Sequence, residues 1–125
     1  MSPTEPGTPT AETSVGRTPW RRIDAVLGPP VWWACHFGAA YWLVPRTCVW
    51  GGTWPLHALT VVVLALLLRA GWSATQLVDA ARSAPEAPGA RRDLFLGRAG
   101  LGLAVFFAAV TVAEWTPVLF IDPCW

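Results

Sequence analysis

Three long apolar stretches, separated by short polar connections, dominate the pattern of the chain. They cover residues 25–45, 54–75 and 94–121. Few charges interrupt them, and those are Arg69 in the second stretch and Arg98 and Glu114 in the third. A helix crosses the hydrocarbon core of a bilayer with about 20 mostly apolar residues. The pattern therefore predicts an all-α protein, an integral membrane three-helix bundle whose transmembrane domain covers residues 21–125.

A soluble bundle with long core helices is the alternative interpretation. It requires a polar outer face on each helix, and none of the three stretches has one. Composition points the same way, since 54% of the residues are apolar and only 14% are charged. A net charge of +1 gives no basic footprint for nucleic acid. The expected surroundings are therefore a lipid bilayer, with no nucleic-acid partner.

Residues 1–20 are rich in Pro, Thr, Ser and Glu and contain little that is apolar. Such a segment cannot bury enough surface to offset its ordering entropy, so it is expected to be a disordered cytoplasmic tail. Arg21 and Arg22 precede an apolar stretch, as in a twin-arginine export signal. Asp24 and the Gly-Pro-Pro break at residues 28–30 argue against a cleaved signal.

The arginines are distributed asymmetrically between the two sides that three spans would create. Arg46 is the only one on the side of the first connection. The other side holds Arg17, Arg21, Arg22, Arg69, Arg82, Arg91, Arg92 and Arg98. The positive-inside rule then predicts a cytoplasmic N-terminus and an external C-terminus. Aromatic belts are expected at both boundaries, the outer one formed by Trp42, Trp50, Trp54, Trp115 and Trp125 and the inner one by Trp20 and Trp72. The absence of Lys and Asn from the sequence is typical of a GC-rich bacterial genome, which suggests a bacterial plasma membrane.

Prolines and one acid mark the expected helix ends. Pro45 is expected to end the first span, and Asp93 is expected to be the N-cap of the third helix. Pro117 is expected to kink the third helix near its outer end.

A group of polar residues falls within the outer half of the predicted spans. Helix rise places His36 about 13 Å below Pro45 and Glu114 about 10 Å below Ile121, depths that allow contact. A carboxylate at such depth is costly unless it is paired or protonated, and an imidazole is a suitable partner. The expected cluster consists of His36, His57, Thr60, Thr111 and Glu114. It either holds the bundle together by hydrogen bonds, or it binds a metal, haem or quinone or relays protons.

Cofactor and catalytic chemistry find little support in the residue spacing. His36 and His57 differ by about 9 Å of helix rise, which disfavours bis-histidine haem ligation. No tight ligand spacing for copper or zinc accompanies His57, and phosphate loops and Ser-His-Asp spacings are missing. We therefore expect no enzyme, no metal site and no cofactor.

Small residues recur on one face of the third span. Gly97, Gly100 and Ala104 share this face, which continues to Thr111 and Glu114. Small residues let helix backbones approach closely in lipid, so this face is expected to pack against another helix of this chain or of a partner. Whether the packing face ends in a polar functional site stays open at this point.

Two cysteines fall on the outer side of the predicted topology. Cys48 and Cys124 would lie in an oxidising compartment, where a disulfide between them is plausible. The alternative is a pair of thiols that handle copper. Cys35 lies in the middle of the first span and is read as a small apolar residue.

Four short motifs resemble a family of small three-span bacterial membrane proteins, often encoded beside cytochrome c oxidase genes. They are LGPP at residues 27–30, YWLVPRTC at 41–48, PLH at 55–57 and PVLFIDPC at 117–124. The resemblance covers residues 27–125, and family members commonly have Trp or a small residue where this chain has Arg46. It implies a non-enzymatic accessory or assembly factor of a respiratory haem–copper oxidase, with oxidase subunits or assembly factors as partners. The alternative from the residues themselves is a membrane protein that handles a cofactor, a metal or protons through His36, His57 and Glu114.

Overall fold

The structure, a computed structural model, describes residues 17–121 and Cys124 and is all-helical over that part. Three α-helices follow one another, with no strand among the described residues. They are α1 (Arg17–Trp50), α2 (Trp54–Ser83) and α3 (Ala90–Phe120). Each helix contacts the other two, and short turns make sequence neighbours antiparallel, so α1 and α3 run in the same direction.

The first helix begins earlier than its apolar pattern suggests. It starts at Arg17, so residues 17–20, which we expected in a disordered tail, are helical. The rest of the predicted tail, residues 1–16, lies outside the described residues. The polar first turns of α1 are held by ion pairs to the other two helices, described below, and hydropathy alone does not detect such contacts.

The helices contain 34, 30 and 31 residues, which corresponds to about 45–50 Å each at 1.5 Å per residue. By length and composition, α2 and α3 are each able to cross a membrane. Only 33% of the most apolar 18-residue stretch of α2 is buried, and only 22% of that of α3. A core helix of a soluble protein would be mostly buried. The first helix falls short of this standard because its prolines, tryptophans and histidine lower the mean hydropathy.

Proline does not end α1, contrary to the prediction for Pro45. The helix continues for five residues beyond it, to Trp50. Polar side chains that follow the proline satisfy nearby carbonyl groups. Arg46 Nη1 donates to the Trp42 carbonyl at 2.7 Å, and Thr47 Oγ1 donates to the Val44 carbonyl at 2.8 Å. The carbonyl that Pro45 leaves without its helical donor is that of Tyr41, so the helix continues through the proline with this one bond missing. Similarly, α3 continues through Pro117 to Phe120.

Two glycines with positive φ form the turns between the helices. Gly51 has φ +77° in the turn after α1, and Gly89 has φ +83° just before α3. This left-handed conformation is favourable only for glycine. Gly89 is also the N-cap of α3, so the prediction that Asp93 fills this position is wrong. Asp93 lies in the first turn of α3 and pairs with another helix instead.

Small residues lie where the three helices approach most closely, as expected for Gly97, Gly100 and Ala104. A Cβ atom on Gly97 would lie 2.7 Å from Val78 Cγ2 and 2.9 Å from the Ala74 carbonyl oxygen of α2. A Cβ on Gly71 would lie 3.5 Å from the Cβ of Ala104. The close approach between α2 and α3 therefore depends on side chains of this size.

The approach between α1 and α3 is closer still. A Cβ on Gly100 would overlap the carbonyl oxygen of Ala25, and Ala25 is fully buried. Pro29 is four residues after Ala25 and has no N–H group, so that carbonyl lacks its usual helical donor. Gly100 leaves room for this oxygen, which the side chain of a larger residue would displace.

Ion pairs join the helices at one end of the bundle, which we call the ion-pair end. Arg22 Nη2 of α1 donates to Asp93 Oδ2 of α3 at 2.8 Å, and the ion pair also brings Nε to 2.7 Å from Oδ1. This hydrogen bond raises the pKa of the guanidinium. Asp24 of α1 accepts bonds from Arg69 at 2.9 Å and from Ser73 at 3.2 Å, both on α2. Arg69 thus has a protein partner at the level where the second stretch becomes polar.

A cysteine pair lies at the opposite end, which we call the disulfide end. Cys48, near the end of α1, and Cys124, just beyond α3, lie at disulfide distance with their Cα atoms 5.4 Å apart. Their positions agree with the predicted bridge. Cys35 is exposed on the outside of α1.

We expect Gly100→Ala to destabilise the protein by about 1–3 kcal/mol, since the new methyl group must push α1 away from α3. Gly102→Ala is the matched control, because nothing lies within 4 Å of a Cβ at that position in the same helix. Thermal unfolding in detergent measures both variants. Equal melting temperatures for the two would contradict the packing contact.

Candidate functional site

A crevice opens between the helices in the half of the bundle nearest the disulfide end. Its volume is about 240 Å³. Most of its lining is apolar, and the polar groups among it come from all three helices. The residues that line the crevice include His36, Phe37, Tyr41, Thr60, Glu114 and Trp115.

His36 of α1 is buried in this crevice, with 5% exposure. Its Nε2 atom lies 3.2 Å from Thr60 Oγ1, and that hydroxyl lies 2.9 Å from the Leu56 carbonyl oxygen. A hydroxyl group has one proton, and Thr60 donates it to the carbonyl. Nε2 must therefore carry a proton and donate it to Thr60. This bond leaves Nδ1 as the ring nitrogen available to other groups.

Glu114 of α3 faces that second nitrogen. Its Oε2 atom lies 3.7 Å from His36 Nδ1, which has no hydrogen-bond partner among the described residues. Two lone pairs facing each other in such a site would repel, so a favourable contact needs a proton on one of the two groups. The pair is neutral when the proton is on Glu114 and an ion pair when it is on His36. In both cases the contact is favourable only with one exchangeable proton on the pair, and at 3.7 Å the two atoms lie just beyond hydrogen-bond distance.

Trp33 holds the other oxygen of the same carboxyl group. Its Nε1 atom donates to Glu114 Oε1 at 3.3 Å. The indole is itself fixed between Phe37 and Phe107, with ring centroids 5.9 and 5.4 Å away. Trp33 lies one helical turn before His36, so one face of α1 supplies both contacts to the carboxyl. The Glu114 side chain is 33% exposed, and its exposed part faces the crevice.

His57 belongs to a separate arrangement closer to the disulfide end. Trp115 Nε1 donates to His57 Nδ1 at 2.8 Å, and His57 Nε2 lies 3.3 Å from Thr53 Oγ1. An indole nitrogen only donates, so Nδ1 of His57 must be an acceptor. His57 is therefore a neutral imidazole whose proton is on Nε2. Protonation of this ring would break the bond to Trp115.

The predicted cluster of five residues thus divides into distinct groups. His36, Thr60 and Glu114 come together. His57 is paired with Trp115 instead, and Thr111 is buried against its own helix, where its hydroxyl donates to the Phe107 carbonyl. The sequence interpretation missed both indole donors, because tryptophan was read only as an aromatic anchor for the membrane surface.

Metal and haem chemistry gain no geometric support within residues 17–121 and Cys124. In that part of the chain no three His, Cys, Asp or Glu side chains are grouped as metal ligands would be. The nitrogens of His36 and His57 are each directed at their own partners. Cys48 and Cys124 are directed at each other.

Comparison of the chain with protein-family models, with curated proteins and with solved structures gives no match. A function for this chain therefore has to be inferred from its residues and from the motif resemblance described above.

We expect His36→Ala and Glu114→Gln to be non-additive in their effects on stability, with a coupling energy of about 1–2 kcal/mol. Each single change already removes the shared proton contact, so the second change removes little more. Thermal unfolding in detergent of both single variants and the double variant gives this value.

Glu114→Gln combined with Ser83→Ala is the control pair, because Ser83 lies at the far end of α2, about 35 Å of helix rise from Thr60. That pair should be additive. Additivity of the His36 and Glu114 changes would contradict the contact.

Proposed function

We propose that the chain is a non-enzymatic integral membrane protein with three spans, located in a bacterial plasma membrane. In this proposal it is an accessory or assembly factor of a respiratory haem–copper oxidase. The observation that carries the membrane part is the apolar outer surface of the bundle. Large apolar side chains remain exposed on each helix, among them Val31 on α1, Leu68 on α2 and Val105 on α3. Water would not stabilise such a surface, whereas lipid would.

The ends of the bundle support the proposed orientation. Arg46 alone lies at the disulfide end, where its guanidinium stacks 3.5 Å above the Trp42 ring. The other arginines lie in the first turns of α1, in the second half of α2 and in the first turns of α3, which are the parts toward the ion-pair end. This distribution agrees with a cytoplasmic N-terminus. Exposed tryptophans occur toward both ends, as in the aromatic belts of membrane proteins; they include Trp20, Trp42, Trp50, Trp54 and Trp72. Trp125, expected in the outer belt, lies outside the described residues.

The accessory role draws on the resemblance to small proteins encoded beside oxidase genes. A disulfide would support the proposed topology, because this topology places Cys48 and Cys124 in the oxidising compartment outside the cytoplasmic membrane. The small-residue contacts join the three helices of this chain to one another. A partner would therefore bind another surface of the bundle.

Proton handling at His36 and Glu114 is a second candidate function. The contact between His36 Nδ1 and the Glu114 carboxyl favours it, since this pair lies beside a crevice that is open to the outside of the bundle. His57 stands apart from this pair, and its bond to Trp115 favours a structural role.

We expect reporter fusions after Ala90 and after Trp125 to report opposite sides of the membrane. The first should be cytoplasmic and the second external. A fusion after Gly52 should agree with the one after Trp125, because the turn after α1 lies at the disulfide end. Readouts on the same side for Ala90 and Trp125 would reject three spans.

Deletion of the gene should lower the haem a absorbance of the membranes, measured as a reduced-minus-oxidised difference spectrum, and the wild-type chain should restore it. The chain should also migrate with oxidase subunits in native gels. Glu86→Gln, a change in the exposed connection before α3, is the control and should restore the spectrum fully. Unchanged spectra after deletion, with no co-migration, would contradict the oxidase role.

A further inference from the structure

The Glu114 carboxyl group is more accessible than the His36 imidazole with which it pairs. His36 Nδ1 is buried and has no hydrogen-bond partner, whereas the Glu114 side chain is one-third exposed toward the crevice. A molecule that enters the crevice therefore meets the carboxyl first, with the imidazole behind it. From this arrangement we propose that the crevice binds a lipid-soluble amine, whose nitrogen takes the proton shared by His36 and Glu114. The proposal rests on the membrane placement above and gives the second candidate function its ligand class.

The shape of the crevice suits the head group of an amphiphile. Its volume of about 240 Å³ admits a small polar head but not a long tail. Phe37 and Tyr41 lie at its rim and are 58% and 81% exposed, so their rings face the lipid in the proposed placement. An apolar tail would leave the crevice past these rings and remain in the hydrocarbon. Ligands reach such a site from the membrane rather than from water.

The chemistry of the site selects an amine among possible head groups. A neutral amine arrives through lipid, and an N–H bond forms as the Glu114 O–H or His36 Nδ1–H bond breaks. An ammonium group then faces the Glu114 carboxylate, and the net charge of the site is unchanged. Trp33 Nε1 continues to donate to Oε1.

The surrounding rings also favour a cation. Phe37, Tyr41 and Trp115 line the crevice around the carboxyl, and aromatic faces attract an ammonium group. An anionic head group would be repelled by the carboxylate. An alcohol gains no proton transfer and no ion pair, so it should bind more weakly.

Modification of the protein in liposomes with dicyclohexylcarbodiimide tests the proposal. This lipid-soluble reagent adds a protonated carboxylic acid across one C=N bond, with no leaving group, and mass spectrometry of peptides locates the adduct. We expect modification at Glu114 and none at Glu86, which is exposed in the connection before α3. Octylamine should slow the modification of Glu114 by about tenfold, and octanol at the same membrane concentration by less than about twofold.

Octyltrimethylammonium is the control for surface charge, because it is cationic but cannot accept a proton. The rings attract it as well, but it takes no proton from the site, so it should protect clearly less than octylamine. Equal protection by octylamine and either control would overturn the proposal, as would failure of the reagent to modify Glu114. Reporter fusions separate this failure from failure of the membrane placement. If the fusions still report opposite sides, only the amine site is rejected.

Discussion

The contact between Gly100 and the carbonyl of Ala25 fixes the distance between α1 and α3, and the arrangement of the rest of the bundle follows from it. The two helices run in the same direction, so their close approach near the ion-pair end sets the relative height of the residues above it. Trp33 and His36 are two to three turns above Ala25, and their side chains meet Glu114 from one face of α1. Because helix backbones pack rigidly, a change in spacing at the glycine would separate the nitrogens from the carboxyl.

The sequence predicts those features that depend on one helix at a time. Segment length and apolar content identify α2 and α3, and the spacing of Gly97, Gly100 and Ala104 identifies a packing face without naming what packs there. The pair Cys48 and Cys124 also follows, since both lie near helix ends on the same side. The five-residue polar cluster was only partly correct, because depth along a helix does not specify the direction of a side chain. His57 and His36 both lie toward the disulfide end, yet rotation about α2 directs His57 to Trp115.

The sequence did not predict features that depend on a contact between two helices. Asp24 and Asp93 looked like local features, one a charge unsuited to a signal peptide and the other an N-cap. Each is the acceptor of an arginine on another helix, 45 residues away for Asp24 and 71 for Asp93. Pro45 was read by its own propensity to end a helix, whereas α1 continues beyond it to Trp50, and Arg46 and Thr47 donate to carbonyls of the preceding turn. A matched acid and arginine at equal depths is the signal that would have located both ion pairs.

A bond between Cys48 and Cys124 closes a covalent ring that includes all of α2 and α3, since its ends are separated by 76 positions in the sequence. During synthesis of a chain with the proposed topology, Cys48 reaches the outer side as soon as the first hairpin inserts. Cys124 joins it only after α3 has crossed in the correct direction. The bond therefore cannot form in a chain whose last helix has failed to insert, and such a chain keeps its Cys48 thiol exposed. Oxidation would thus make the completed topology irreversible and would leave incomplete chains chemically distinguishable to the quality-control machinery of the cell surface.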